Sequence, residues 1–290
     1  METTHEHHPT HATRSPRRRS LLRPVAVAAL SLTLIGGLAA CGSDDDAAAQ
    51  EYPTTSGGRV PGVVEDGAYT GNPDATVPEE ACDALAGLGA AMGAMPQDPE
   101  AIPAFVAEEM VPLTTTLAEQ LEGDAATAAA TVDDAYQAMA TSGDMSAVED
   151  PAIADAQRTI GAAVHDGCDL AALDIEAIEY AFNDVHDTLP AGRYSFALEN
   201  TGVEEHEMVL FRRSDDATET FEELSQLPEE EMMSKMAFTG VTFGGPGTTN
   251  YVVLDLEPGT YFLSCFIPVG GGEEGEPHFM KGMQETIEVS

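Results

Sequence analysis

The chain has 290 residues, with 12 Lys or Arg against 51 Asp or Glu and a formal net charge of −39. That length suggests one or two domains. That charge repels nucleic acid and anionic lipid head groups, which excludes them as partners, and leaves solubility, or attraction of a cation or a basic protein, as its use.

Arg14, Arg17, Arg18, Arg19 and Arg23 precede the apolar run PVAVAALSLTLIGGLAAC, which is short for a bilayer span. Basic residues, an apolar stretch and small residues at its end predict a secretory signal over 1–40, with an uncleaved anchor as the alternative. Leu38-Ala39-Ala40-Cys41 resembles a bacterial lipobox. The resemblance implies that Cys41 is acylated and becomes the N-terminus, at the extracytoplasmic face of the cell membrane. Arg18-Arg19-Ser20-Leu21-Leu22 is also similar to a twin-arginine signal. Five of the 12 basic and two of the 51 acidic residues precede Cys41, so residues 41–290 carry a formal charge of −42. Residues 41–76 are rich in Asp, Gly, Pro and Ala without an apolar period, which predicts a disordered tether.

Residues 77–170 are dominated by Ala, Leu and Met and predict a bundle of about four helices. The first opens at Pro78, a good first-turn residue. The second starts near Asp98-Pro99-Glu100, and Pro112 is expected to kink or split it. The stretches 124–141 and 151–168 supply the other two. Export implies an oxidising exterior in which disulfides persist. With Cys41 lipidated, Cys82, Cys168 and Cys265 remain, and one is unpaired unless the chain dimerises through it. Pairing Cys82 with Cys168 would tie the ends of the bundle together and leave Cys265 free. His165, near the end of the last helix, is expected to cap it or face solvent.

From residue 173 to 290 the pattern changes to short runs rich in β-branched and aromatic residues: IEAIEYAF, GRYSFALEN, HEMVLFRR, NYVVLDL, GTYFLSCF and QETIEVS. Period-two alternation and turn signals predict an antiparallel β-sandwich. The whole is thus an α+β, multidomain chain, a helical bundle followed by a sandwich. The insertion 217–236 reads as helical. Its Met232, Met233 and Met236 suit a core better than a thioether site for Cu(I). His186 reads as a turn residue, and the sequence holds no phosphate-cradling loop, zinc CxxC pair or nucleophile elbow.

Three motifs remain: N-T-G-x-x-x-H-E at 200–207, L-x-P-G-x-Y-x-x-x-C at 256–265 and H-x-x-x-x-M at 278–283. A His₂Cys set with a weak axial Met suits copper, because thiolate and thioether favour Cu(I) while imidazole tolerates Cu(II). The β region resembles the cupredoxins, the plastocyanin and azurin class, and the resemblance implies a Greek-key sandwich. It also implies a type 1 copper site, with His206 and His278 as imidazole ligands, Cys265 as thiolate and Met283 as axial thioether. Met280 is the rival axial residue, and a buried core thiol is the plain alternative for Cys265. Two positions depart from the family pattern. Twelve residues separate Cys265 from His278, where the family has only a few, and Glu207 stands where an asparagine usually braces the cysteine loop. The two regions together are similar to secreted lipoproteins of high-GC Gram-positive bacteria. The expected function is copper binding with one-electron transfer through an exposed edge of His278, to a cationic redox partner. Copper storage or delivery, and a metal-free interaction module, are the alternatives; an enzyme such as a multicopper oxidase is not expected.

Overall fold

The computed structural model describes residues 72, 74–144, 146, 148, 150–272 and 275–290. The expected signal, Cys41 and nearly all of the tether lie outside the described residues.

The helical part begins with α1 (Glu79–Gly93), which follows Pro78 and carries Glu79 and Glu80 in its first turn, where the helix dipole favours negative charge. Next, α2 (Ile102–Phe105), a π-helical turn (Val106–Met110) and α3 (Val111–Gln120) run on without a break. Pro112 therefore neither splits nor ends the helix. It lacks an N–H for the carbonyl four residues back and its ring crowds that carbonyl, and the wider π turn just before it absorbs the mismatch. Then α4 (Gly123–Ser142) stops at Gly143, which adopts φ 71, the left-handed cap that glycine supplies without strain. Finally α5 (Pro151–Gly167) starts on Asp150, whose carboxylate accepts the Ala152 N–H at 2.9 Å. Alanines 81, 84, 125, 128 and 129 let the helices approach closely, and Met110, Leu117, Met139 and Ile160 fill the space between them. Cys82 and Cys168 form a disulfide spanning 86 residues, and Cys265 is free and buried.

Among the described residues nine strands make two sheets. β1 (Ala171–Ile178), β2 (Ala181–Asn183), β4 (Gly192–Asn200) and β7 (Thr249–Leu256) form the first, in the order β2-β1-β4-β7. β3 (Thr188–Leu189), β5 (His206–Arg213), β6 (Met236–Gly244), β8 (Gly259–Ser264) and β9 (Gln284–Val289) form the second, in the order β3-β9-β8-β5-β6. The expected all-antiparallel arrangement is corrected: β1 pairs with β4, and β3 with β9, in parallel. After β2 the chain crosses to the second sheet as β3, so β4 re-enters the first sheet running the same way as β1. IEAIEYAF is not one strand either, because Tyr180 turns at φ 65 and folds β2 back on β1. β6 escaped the sequence reading. Its glycines 240 and 244 interrupt the alternation, and Gly240 leaves room for Leu254, whose Cδ2 would stand 2.3 Å from an added Cβ.

Between the sheets lie Leu173, Ile175, Tyr194, Phe196, Leu198 and Leu254 from one and Met208, Leu210, Tyr261, Leu263 and Ile287 from the other. Alternation along β8 sends Tyr261 and Leu263 to this core together with Cys265, while Phe262 points to the opposite face. On that outer face α6 (Phe221–Ser225) and α7 (Glu229–Lys235), separated by Pro228, make up the expected helical insertion. Met232 and Met236 pack there with Phe221, Leu224 and Phe262, and Met233 is exposed.

The helices dock on the outside of the first sheet. Val253 of β7 packs with Cys82, Ala86, Val164 and Cys168. Gly161 lets α5 lie against Tyr251, whose Cβ would be 2.7 Å from a Cβ at that glycine. His165 is here, buried rather than facing solvent. Its face of α5 is turned to the sheet, where Nδ1 lies 2.9 Å from the Ser195 hydroxyl and Nε2 3.2 Å from Asp174.

Candidate metal centre

Three chain segments meet at one end of the sandwich. The first is the turn before β5, built on the fully buried Asn200. Its amide donates to the Glu204 carbonyl at 2.8 Å and the Gly244 carbonyl at 2.7 Å, and its Oδ1 accepts the Gly202 N–H at 2.9 Å. That turn delivers His206 at the first position of β5, opposite Gly244. The second segment is the end of β8 at Cys265, and the third is the 3-10 turn His278–Lys281. Backbone bonds clamp these two together. Cys265 N–H donates to the Met283 carbonyl at 3.2 Å, His278 N–H to Ile267 at 2.9 Å and Phe279 N–H to Cys265 at 2.8 Å, while Met283 N–H closes the third segment on His278 at 3.2 Å. Pro268 bridges to Pro277, and Val269 N–H donates to the Glu276 carbonyl at 3.0 Å. The long insertion is thus pinched off at its base, and its length does not separate Cys265 from His278.

His206, Cys265 and His278 are all 0% exposed. The Nδ1 atoms of the two histidines are 3.1 Å apart, and Cys265 Sγ is 3.4 Å from His278 Nδ1. One donor atom from each of the three lies within 4.8 Å of the others. Met283 is buried in the same cluster as Cys265, whereas Met280 is 53% exposed on the surface. His186 is exposed and is not part of the His206, Cys265 and His278 cluster.

Carboxylates surround the donors. Glu207 is buried, donates its N–H to Cys265 Sγ at 3.4 Å and accepts the Phe266 N–H on Oε1 at 2.9 Å. It therefore holds the cysteine loop through both its backbone and its side chain. Burial pushes its carboxyl up to about 7, against the Phe266 amide and with help from Glu205. Burial likewise pushes the Cys265 thiol up to about 12, although the Glu207 and Ile267 amides favour the thiolate. Burial, then the neighbouring His278, lowers the pKa of His206.

The outer edges of both imidazoles face acid. His278 Nε2 is 3.2 Å from Glu204 Oε2, and the Tyr180 ring packs edge-on against His278 with centroids 5.0 Å apart. The expected exposed edge of His278 is thus corrected: the turn before β5 and Tyr180 fold over it. The Gly270 amide is the main influence holding Glu204 below the usual carboxylate range, against burial and with Tyr180 and His278 assisting. His206 Nε2 is buried with no hydrogen-bond partner, and Glu179 stands 3.9 Å from it. Burial would raise Glu179, but the Val203 and Glu204 amides and His206 bring it below its ordinary value. Asn200 stood in the sequence as the first residue of the 200–207 motif, whereas Glu179, Tyr180 and Glu204 were not singled out by it. Only the dense acid of V-E-E-H-E around His206 hinted at them.

The donor set fits a soft or borderline cation. Two imidazole nitrogens and a thiolate suit copper or zinc. Metal–ligand bonds of about 2.0–2.3 Å spread at about 120° would need edges of roughly 3.5 Å, against the 3.1 and 3.4 Å present. A thiol held near 12 needs such a cation to ionise at neutral pH.

No protein-family model and no curated protein matches the sequence. Among solved structures the chain is similar to reduced auracyanin from the photosynthetic bacterium Roseiflexus castenholzii, at 20% identity over 41% of this chain and 96% of that one, TM-score 0.29. It is also similar to auracyanin A, a "blue" copper protein from Chloroflexus aurantiacus, at 18% identity over 41% and 98%, TM-score 0.28. A multi-copper oxidase from Pediococcus acidilactici is similar at 10% identity over 42% of this chain and 26% of that chain, TM-score 0.26.

Proposed function

We propose that the chain is an extracytoplasmic, lipid-anchored copper protein of cupredoxin type that carries one electron at a time. The observation that carries this reading is the convergence of three buried donors, with the two Nδ1 atoms 3.1 Å apart and Sγ 3.4 Å from one of them. His206 and His278 would hold copper through Nδ1, Cys265 through its thiolate, and Met283 as the weak axial thioether. Copper bound there supplies a Cu(I)/Cu(II) couple. The chain supplies a set of ligands fixed before the metal arrives. His206 is locked by the Asn200 turn, Cys265 and His278 by three backbone bonds between their segments, and Sγ by the Glu207 amide. Ligands that do not move between oxidation states keep the rearrangement on electron transfer small. The burial of all three excludes water from the thiolate. The acidic surface would suit a cationic redox partner. A carrier fits better than an oxidase, because only His165, His186, His206 and His278 follow residue 41, too few for the further copper cluster of a multicopper oxidase.

One observation favours a second reading, copper storage or delivery without electron transfer: neither imidazole presents an edge to solvent. Colour separates the two. The chain carrying Cys41→Ser, given one equivalent of Cu(II) and freed of excess, is expected to absorb intensely near 600 nm and to lose that band in Cys265→Ala. Copper retained through Cys265 without the band would establish storage, and no retained copper would overturn both.

A further inference from the structure

The Cys265–His278 pair is built from an unusual direction: a carboxylate from the opposite strand's turn reaches across and holds the histidine by its back. Glu204 Oε2 lies 3.2 Å from His278 Nε2 and also accepts the Gly270 N–H at 2.7 Å, while Oε1 accepts the Tyr180 hydroxyl at 3.1 Å. Glu204 is itself anchored by its main chain, its carbonyl taking the Asn200 amide at 2.8 Å and its N–H donating to Glu179 at 3.1 Å. One side chain thereby joins the turn before His206, the 3-10 turn Val269–Gly271, Tyr180 and His278.

We propose that Glu204 is the positioning residue of the centre: by taking the Nε2 proton of His278 in a hydrogen bond it fixes that ring's tautomer and rotation, so that the Nδ1 lone pair faces Cys265 and His206. The heavy-atom distances at the site are consistent with this. A carboxylate only accepts, so Nε2 of His278 carries a proton, and in the neutral ring that leaves Nδ1 bare. His206 Nδ1, 3.1 Å from that bare nitrogen, then carries the other proton, which agrees with a His206 Nε2 that has no partner. When a cation takes both Nδ1 lone pairs, the His206 proton must leave or move to Nε2, the side on which Glu179 stands at 3.9 Å. The two histidines are therefore not equivalent. His278 is preset for a metal, and His206 must rearrange one proton. Outer partners of this kind orient ligating histidines and commonly govern affinity by about 10–100-fold.

This inference rests on the metal-binding reading for its consequence but not for its geometry, and the test separates them. Nitrogen-15 NMR of the histidine rings is recorded on the metal-free chain carrying Cys41→Ser, beside Glu204→Ala, Glu204→Gln and a charge control, Glu205→Ala, whose residue is exposed. Affinity for Cu(I) alone is measured on the same four proteins by competition with a coloured chelator. The expected result is an Nε2–H tautomer for His278 in the parent, the Gln variant and the Glu205→Ala control, with a mixture of tautomers in Glu204→Ala. Cu(I) affinity should fall about 10–100-fold in Glu204→Ala and stay near the parent value in the other two. An Nδ1–H tautomer in the parent would overturn the inference, whether or not any variant folds. So would parental tautomer and affinity in Glu204→Ala. If the tautomer responds as expected and none of the proteins takes up copper, the positioning role stands and the copper reading falls.

Discussion

Glu207 offers a direct check on the electrostatics of the site. It is 7% exposed, and its carboxyl is held at about 7 against an ordinary 4.5, chiefly by burial. Between those two values the folded chain keeps the proton and the unfolded chain releases it. The folded state binds more protons, so stability falls as pH rises. The contribution is fully present below about 4.5 and lost by the time pH has passed through about 7. At about 1.4 kcal/mol for each pH unit of separation, the loss is about 3 kcal/mol. Glu207→Gln removes the titration while keeping an oxygen to accept the Phe266 N–H, now bonded at 2.9 Å. Urea unfolding of the metal-free protein and of this variant is measured from pH 4.5 to pH 8. The parent is expected to lose about 3 kcal/mol more than the variant across that range, because every other titrating group cancels in the difference. Parallel profiles would show that Glu207 ionises at its ordinary value, and the account of a dry, acid-braced cysteine loop would be wrong.

Two further outcomes concern the attachment of the helices to the sandwich. Removing the disulfide by Cys82→Ala with Cys168→Ala opens a constraint spanning 86 residues, worth up to about 4–5 kcal/mol in the chain-entropy treatment; calorimetry should find Tm lower by roughly 10–20 °C for a domain of this size. A drop of only a degree or two would mean that the packing around Val253 holds the layers without it. His165→Ala leaves the buried Ser195 hydroxyl without its partner at 2.9 Å and should cost about 1–3 kcal/mol in urea unfolding, most of it recovered when Ser195→Ala is added. No recovery in the double variant would refute that hydrogen bond as the source of the loss.

The likeness between expectation and structure differs from element to element for physical reasons. Helices α1, α4 and α5 were legible because their signals are local: Pro78 just ahead of the first, and long alanine-rich stretches without β-branched runs. Strands β4, β5, β7, β8 and β9 were legible because alternation and aromatic content mark a half-buried strand. What failed was non-local. The parallel pairing of β1 with β4 depends on where the chain crosses between sheets, and β6 is a strand only because β5 lies beside it. His165 is the same residue on a capped helix or on a docked one; the sheet underneath made it a buried partner of Ser195.

By itself the sequence determined the order of helical and β regions, and it offered Cys82 with Cys168 as a candidate pair and His206, Cys265, His278 and Met283 as candidate donors. Residue type carries that information, since a thiol, two imidazoles and a thioether share an affinity wherever they sit. Only the tertiary structure decided that three of those donors meet within 4.8 Å, that the long insertion is pinched off at Pro268 and Pro277, and that carboxylates close the back of both imidazoles. A carboxylate's role is set by what lies within about 3 Å of it. In a chain with 51 acidic residues, residue type alone does not distinguish Glu204 from the many that merely face water.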